Sequence, residues 1–184
     1  MKDNPLEKYF WGRIPVQRAT AFCFFQKGNR LQRLIHQLKY QGRTDIGQFL
    51  GRLFGEELKE STDFAGIELI VPVPLHRSRL LQRGYNQVDF VCQGLSEALQ
   101  KPWSTKALLR AHASESQTRK GRFERWANVA EVFTVPDETL IASKHLLLVD
   151  DVITTGSTLE SAARTLLDKG AASICVATLG CSVK

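Results

Sequence analysis

Four consecutive apolar residues, Leu146-Leu147-Leu148-Val149, run directly into Asp150-Asp151. An unbroken apolar run of this length is the pattern of a strand buried on both faces, which occurs in parallel sheets covered by helices. After Val152 and Ile153 comes a stretch of small polar residues, Thr154-Thr155-Gly156-Ser157-Thr158. Behind it Leu159, Ala162, Ala163, Leu166 and Leu167 recur at helical spacing. Ser157-Thr158-Leu159-Glu160 reads as a capping box and Gly170 as the helix stop. Strand, loop and helix N-terminus together favour a bound phosphate, because backbone N–H groups and the helix dipole converge there.

The remaining periodicities fit that unit. Ile67–Val71 and Ser173–Leu179 read as further buried strands. Separated by helices, they imply right-handed crossovers and a parallel sheet. Leu31, Leu34, Ile35 and Leu38 mark one helix. Ile46, Phe49, Leu50, Leu53, Phe54 and Leu58 mark the next, capped by Thr44 or Asp45. Gly47, Gly51 and Gly55 recur every fourth residue along it, and close packing against the sheet or another helix is the expected reason. Val88, Val91, Cys92, Leu95 and Leu99 mark a third helix. Thr20–Phe25 reads as an edge strand within an aromatic arm, residues 1–29, that precedes an α/β domain at 30–184. Glu131–Val135 reads as a strand after a long polar stretch, 111–128.

Ligands of such sheets bind beyond the carboxyl ends of the strands. Two loops qualify. One follows Asp150-Asp151. The other begins at Pro72-Val73-Pro74, where proline stops the strand, and continues through His76, Arg77, Arg79 and Arg83. Those arginines form either a solvated face or a ligand wall, and Asn86 and Gln87 either cap the next helix or meet a ligand. No feature marks His36, His76, His112 or His145 as a general base.

Composition narrows the class. A formal net charge of +6 suits an anionic partner, either a polyphosphate or a nucleic acid. The four cysteines are scattered with no C-x-x-C pair, which points to buried free thiols in a cytoplasmic protein rather than a disulfide frame or zinc site. Neither a signal-peptide pattern nor a membrane-spanning apolar run is expected. A nucleotide triphosphatase would need G-x-x-x-x-G-K-[ST] to accompany the acids, and the chain has neither that nor G-x-G-x-x-G. Two adjacent carboxylates repel unless a cation or ligand is close, and they are natural acceptors for vicinal ribose hydroxyls.

At this point a resemblance is plain. Leu146–Thr158 resembles the phosphoribosyl-pyrophosphate (PRPP) signature of type I phosphoribosyltransferases: four apolar residues, two acids, two apolar residues, then Thr-Thr-Gly-x-Thr. Lys39-Tyr40, Val71-Pro72-Val73-Pro74-Leu75-His76, Arg79, Arg83-Gly84-Tyr85-Asn86-Gln87, Gln117-Thr118, Arg125, Asn128 and Phe133 are similar to the ComF family of competence-associated proteins. The similarity runs from about Phe22 to the C-terminus.

The resemblance implies a parallel-sheet α/β fold of the type I phosphoribosyltransferase kind, with helices on both faces and a small N-terminal hood or arm. It implies PRPP, or another ribose-phosphate ligand, with Mg²⁺ held indirectly at Asp150 and Asp151. Asp150 and Asp151 would contact the ribose. Val152, Thr154, Thr155, Gly156, Ser157 and Thr158 would line the 5′-phosphate site. Pro72, Val73, Pro74, Arg77 and Arg79 would face pyrophosphate, and Arg119, Lys120, Arg122 and Arg125 would close over it. Asp150, Asp151 and Arg79 are the expected catalytic residues. Family members often begin with a cysteine-rich zinc module; only Cys23 lies in this N-terminal region, so no zinc is expected in this chain. The acceptor is undefined. A non-catalytic PRPP or nucleotide sensor, a single-stranded-DNA-handling accessory of uptake, and a homodimer are also compatible with the family.

Overall fold

A computed structural model of the chain describes residues 6–25, 30–110 and 132–182. Its centre is a four-stranded, fully parallel sheet. The strands are β1 (Val16–Phe25), β2 (Leu69–Pro72), β5 (His145–Ile153) and β6 (Ser173–Ser182), in the spatial order β1-β6-β5-β2. The two-residue strands β3 (Leu109–Arg110) and β4 (Phe133–Thr134) pair antiparallel in a separate small sheet. The helices are α1 (Arg30–Tyr40), α2 (Thr44–Lys59), α3 (Arg77–Arg83), α4 (Gln87–Leu99) and α5 (Ser157–Asp168). None of them is long and apolar enough to cross a membrane.

The apolar runs read as buried strands because both sheet faces are covered. In β5, Leu146 and Leu148 join one core with Leu159, Ala162, Ala163 and Leu166 of α5. Leu147 and Val149 join the other, with Ile35 and Leu38 of α1, Leu50 and Phe54 of α2, and Val91 and Leu95 of α4. The same alternation divides Ile174 and Val176 from Cys175 and Ala177 in β6. It is the period of two expected of a pleated strand. The outer side of β2 is covered by Pro102–Ser104, with Ile70 N–H donating to the Pro102 carbonyl at 2.9 Å and Ser104 N–H to that of Ile70 at 3.0 Å.

Glycine explains how α4 comes so close to α2. A Cβ on Gly51 would lie 2.2 Å from the Val91 carbonyl oxygen, and one on Gly94 would lie 2.1 Å from that of Gln48. The two helices therefore touch backbone to backbone, and the partner of the glycine row is another helix, not the sheet. This contact fixes the N-terminus of α4 relative to the strand ends.

Several boundaries differ from the sequence reading. β1 starts at Val16, not Thr20, because it pairs with β6 from Ile174 onward. β2 starts at Leu69 and includes Pro72, which occupies the strand's last position. The antiparallel pairing places β4 at Phe133–Thr134. The residue preceding α2 is Arg43, whose guanidinium pairs with Asp45 at 2.7 Å, so neither Thr44 nor Asp45 is the cap. The basic run holds a helix, α3, whose N-cap is His76: its Nδ1 accepts from Ser78 N–H at 3.3 Å.

Candidate functional site

The expected strand ended before the carboxylates. Instead β5 carries them within it: Asp150 pairs with Thr178 and Ile153 with Cys181. Asp150 is thus held by its pairing with β6, one residue beyond the last β2 pair, Pro72 with Val149. The turn that follows reaches α5 through Gly156, at φ 78°, a left-handed conformation that favours glycine. The capping box does not form. No side chain caps α5, and Glu160 instead pairs with Arg13 at 3.6 Å and Arg164 at 3.4 Å. Thr155 and Ser157 hydroxyls lie 3.0 Å apart on the turn.

Successive strand residues point to opposite faces, so the two acids do not have the same surroundings. Asp151 turns toward α1 and α4. Its Oδ2 is 2.6 Å from Lys39 Nζ and also accepts from Gln87 Nε2. Gln87 Oε1 in turn accepts from Arg83, whose guanidinium lies 5.3 Å from the Tyr40 ring centroid. The cation that two adjacent acids require is thus supplied in part by the chain itself. Asp150 accepts from the Asp151 backbone N–H at 2.8 Å. Its carboxyl is pushed up to about 7, first by burial and then by the charge of Asp151; the Asp151 N–H, Lys39 and Arg110 act the other way.

α4 holds Gln87 in place through its cap. The Asn86 side chain accepts from Val88 N–H at 3.3 Å and donates to the Val73 carbonyl at 3.1 Å. One residue thereby starts the helix and ties it to the loop after β2. Val73 N–H donates to the Val149 carbonyl at 2.8 Å, so that loop stays against β5 past Pro72.

These elements enclose a cleft of about 550 Å³. Asp150, Asp151, Val152 and Thr158 line it on the β5–α5 side, and Val73, Pro74, His76 and Arg79 on the β2 side. Lys39, Tyr40, Arg83, Gln87 and Arg110 complete it. Arg110 packs over the Phe133 ring at 5.3 Å. Burial, and then the charge of Arg79, hold its guanidinium below the ordinary arginine range. Two arginines close enough to repel, facing a pair of acids, make a cleft polarised from one wall to the other. A small recess of about 30 Å³ adjoins it, lined by Asp150, Val152, Thr154, Thr155, Gly156 and Thr158 among others.

Comparisons with known proteins bear on the family and the fold. The family described as phosphoribosyl transferase domain matches residues 103–180. DNA utilization protein YhgH of Escherichia coli strain K12 is 38% identical over 147 residues, covering 78% of this chain and 64% of that protein. Competence protein F of Haemophilus influenzae is 33% identical over 141 residues, covering 74% of this chain and 62% of that protein. These matches support a ComF-family, phosphoribosyltransferase-like protein. It spans less than two thirds of the length of either relative. The glutamine PRPP amidotransferase of B. subtilis, solved with ADP and GMP, shares the fold of this chain. The TM-score is 0.54 at 16% identity, over 78% of this chain and 30% of that one.

Of the residues expected at a ComF-family site, the structure brings Val73, Pro74, Arg79, Asp150, Asp151, Val152 and Thr158 to one cleft. Thr154, Thr155 and Gly156 line the adjoining recess. Arg77 and Pro72 do not line the cleft, nor does Ser157 line either space. Arg119, Lys120, Arg122 and Arg125 fall outside the described residues. Arg83 and Gln87, for each of which ligand contact was one of two readings, line the site, and so do Lys39, Tyr40 and Arg110, which were given no role. Lys39-Tyr40 belonged to the family resemblance without a role. Arg110 carried no signal, because its place depends on the pairing of β3 with β4.

Proposed function

We propose that the chain binds PRPP and transfers its ribose 5-phosphate to an acceptor with release of pyrophosphate. The observation that carries this reading is the polarised cleft: paired carboxylates on a strand end, a small-residue turn at a helix N-terminus beside them, and Arg79 and Arg110 opposite. Asp150 and Asp151 accept hydrogen bonds from the ribose hydroxyls. The turn at 154–158 holds the 5′-phosphate through backbone N–H groups and hydroxyls. Arg79 and Arg110 take the pyrophosphate, joined in the family correspondence by Arg119, Lys120, Arg122 and Arg125. The bond from C1 of ribose to pyrophosphate breaks as the bond from C1 to the acceptor forms, and the acceptor's proton leaves with the pyrophosphate oxygens. Fixed positive charge aimed at the leaving group lowers the barrier because it needs no reorganisation.

Mg²⁺ fits this site as a companion of the ligand. Among the described residues no cluster of three or more acids, histidines or cysteines could cage a metal, and Mg²⁺ is commonly held by one or two carboxylates plus substrate phosphates. Asp150 and Asp151 would supply the protein's share, and the ion would neutralise pyrophosphate charge. The free thiols Cys23, Cys92, Cys175 and Cys181 suit a reducing, cytoplasmic setting.

A second reading has its own support. The relatives are named for DNA utilization and for competence, and the chain is basic. A PRPP sensor, or a single-stranded-DNA-handling accessory, would keep the cleft without turnover. Screening nucleobases and amines for pyrophosphate release separates the two. Turnover with any acceptor, lost on Asp150→Ala with Asp151→Ala, supports the transferase. PRPP binding without turnover, together with DNA affinity that falls steeply with salt, supports the accessory.

A further inference from the structure

Within the turn at 154–158 only Gly156 is buried; Thr154, Thr155, Ser157 and Thr158 are exposed. What covers Gly156 comes from the other end of the chain. A Cβ placed on it would lie 3.4 Å from Tyr9 Cβ and 3.6 Å from Tyr9 Cδ1, with Ile153 Cδ1 at 3.7 Å. Tyr9 closes a single 3₁₀ turn, Glu7–Tyr9, ahead of β1. Its side chain therefore stands on the face of Gly156 where any other residue would carry its own.

The segment around Tyr9 is anchored without it. Leu6, Phe10 and Ile14 are buried in the core that also holds Ile153, Leu159 and Ala162. At the surface, Arg13 Nη1 lies 3.6 Å from Glu160 Oε2, and Arg164 donates to the Arg13 carbonyl at 2.8 Å. The arm is thus fastened along the first turns of α5. Tyr9 itself is only partly buried. Its hydroxyl is hydrogen-bonded to Cys181, which stands opposite Ile153, the residue where β5 ends and the turn begins. One side chain spans the strand end and the turn.

The φ of 78° at Gly156 is one of many conformations open to a glycine. A turn that orders only when its ligand arrives loses affinity to that ordering, and one already fixed does not. A ring packed against the glycine supplies that fixing before the ligand binds. Tyr9 lines neither the cleft nor the recess beside it, so its influence on a ligand runs through the turn.

We propose that Tyr9 is a positioning residue for the ribose 5′-phosphate, its ring packed on Gly156 so that the turn at 154–158 is held ready for the phosphate. The N-terminal arm is then part of the ligand site. The inference rests on the PRPP reading of the cleft. It separates the two ends of that ligand: the 5′-phosphate depends on Tyr9, and the pyrophosphate, facing Arg79 and Arg110, does not.

The test is calorimetric titration of the chain with ribose 5-phosphate, with pyrophosphate–Mg²⁺ and with PRPP–Mg²⁺. Tyr9→Ala should weaken ribose 5-phosphate and PRPP by about tenfold, the effect of leaving about one backbone residue to be ordered on binding. It should leave pyrophosphate–Mg²⁺ within about twofold. Tyr9→Phe should retain all three within about twofold, because the ring stays on Gly156. If Tyr9→Ala does not fold, Tyr9→Leu, which keeps apolar volume, takes its place, with a loss of about threefold or more expected for the same two ligands. Unchanged affinity for ribose 5-phosphate and PRPP in the variant overturns the inference and leaves the PRPP reading standing. Equal weakening of pyrophosphate overturns it too, since that marks a general loosening of the cleft. So does a Tyr9→Phe chain as weak as Tyr9→Ala, because the ring would not be what holds the turn. An unmodified chain that binds neither ribose 5-phosphate nor PRPP removes the PRPP reading itself, and this inference with it.

Discussion

The two walls of the cleft are built in opposite ways. The β5–α5 wall comes from one continuous stretch, Asp150 to Thr158, whose function is already local: strand end, turn, helix N-terminus. The facing wall is assembled from α1, α3, α4, the loop after β2 and β3, which give Lys39, Arg83, Gln87, Arg79 and Arg110. The first wall exists wherever its short sequence folds. The second exists only if α4 and α1 are placed correctly against the sheet. Ligand recognition can therefore be written in one motif, while charge compensation for that motif has to be written across the fold.

The contrast is easiest to break at the contact that positions α4. Gly94→Ala puts a methyl into the Gln48 carbonyl, where only 2.1 Å is open. Overpacking against backbone typically costs 1–3 kcal/mol, and about 3 kcal/mol or more is expected here. Denaturant unfolding measures the loss. An effect below about 1 kcal/mol would mean that α4 does not depend on this backbone contact.

A smaller effect, of opposite sign, is expected on the local wall. The Asp150 carboxyl is raised from 3.8 to about 7, so the folded chain holds a proton that the unfolded chain releases near pH 4. The stabilisation that goes with that proton is full at low pH and is lost as pH rises through about 7. Asn at this position mimics the protonated acid. Asp150→Asn should therefore stabilise the free protein by on the order of 2 kcal/mol at pH 8 and change little at pH 4. Thermal unfolding at both pH values checks it. A destabilised variant at pH 8 would show that Asp150 is well compensated without ligand.

Legibility followed the same division. The cores on both faces of the sheet were readable because β5, β6, α1, α2, α4 and α5 bury regular apolar patterns. α3 was not, since its Leu80 and Leu81 are 43% and 74% exposed and leave no buried stripe. The carboxylates were readable as a pair, but their inequality was not. It comes from the pleat and from Lys39 on a distant helix. The capping box failed for a local reason: Gly156 takes the N-cap position, and Glu160 finds Arg13 and Arg164 instead.

The smallest expected effect lies next to the acids. Thr178 pairs with Asp150 across the sheet and is fully buried, and its hydroxyl has no hydrogen-bond partner among the described residues. Thr178→Val should stabilise by about 1 kcal/mol, because an unsatisfied buried hydroxyl is costly. A loss of about 1 kcal/mol in thermal unfolding would mean that the hydroxyl is satisfied in solution.

The central claim is that the polarised cleft is a ribose-phosphate site, and titration with PRPP and Mg²⁺ tests it most directly. Saturable binding is expected, lost in Asp150→Ala with Asp151→Ala. If the ionised Asp150 is the binding form, affinity should rise about tenfold from pH 6 to pH 8 as the group of pKa about 7 loses its proton. No detectable binding, or binding that the double substitution leaves unchanged, would contradict the account.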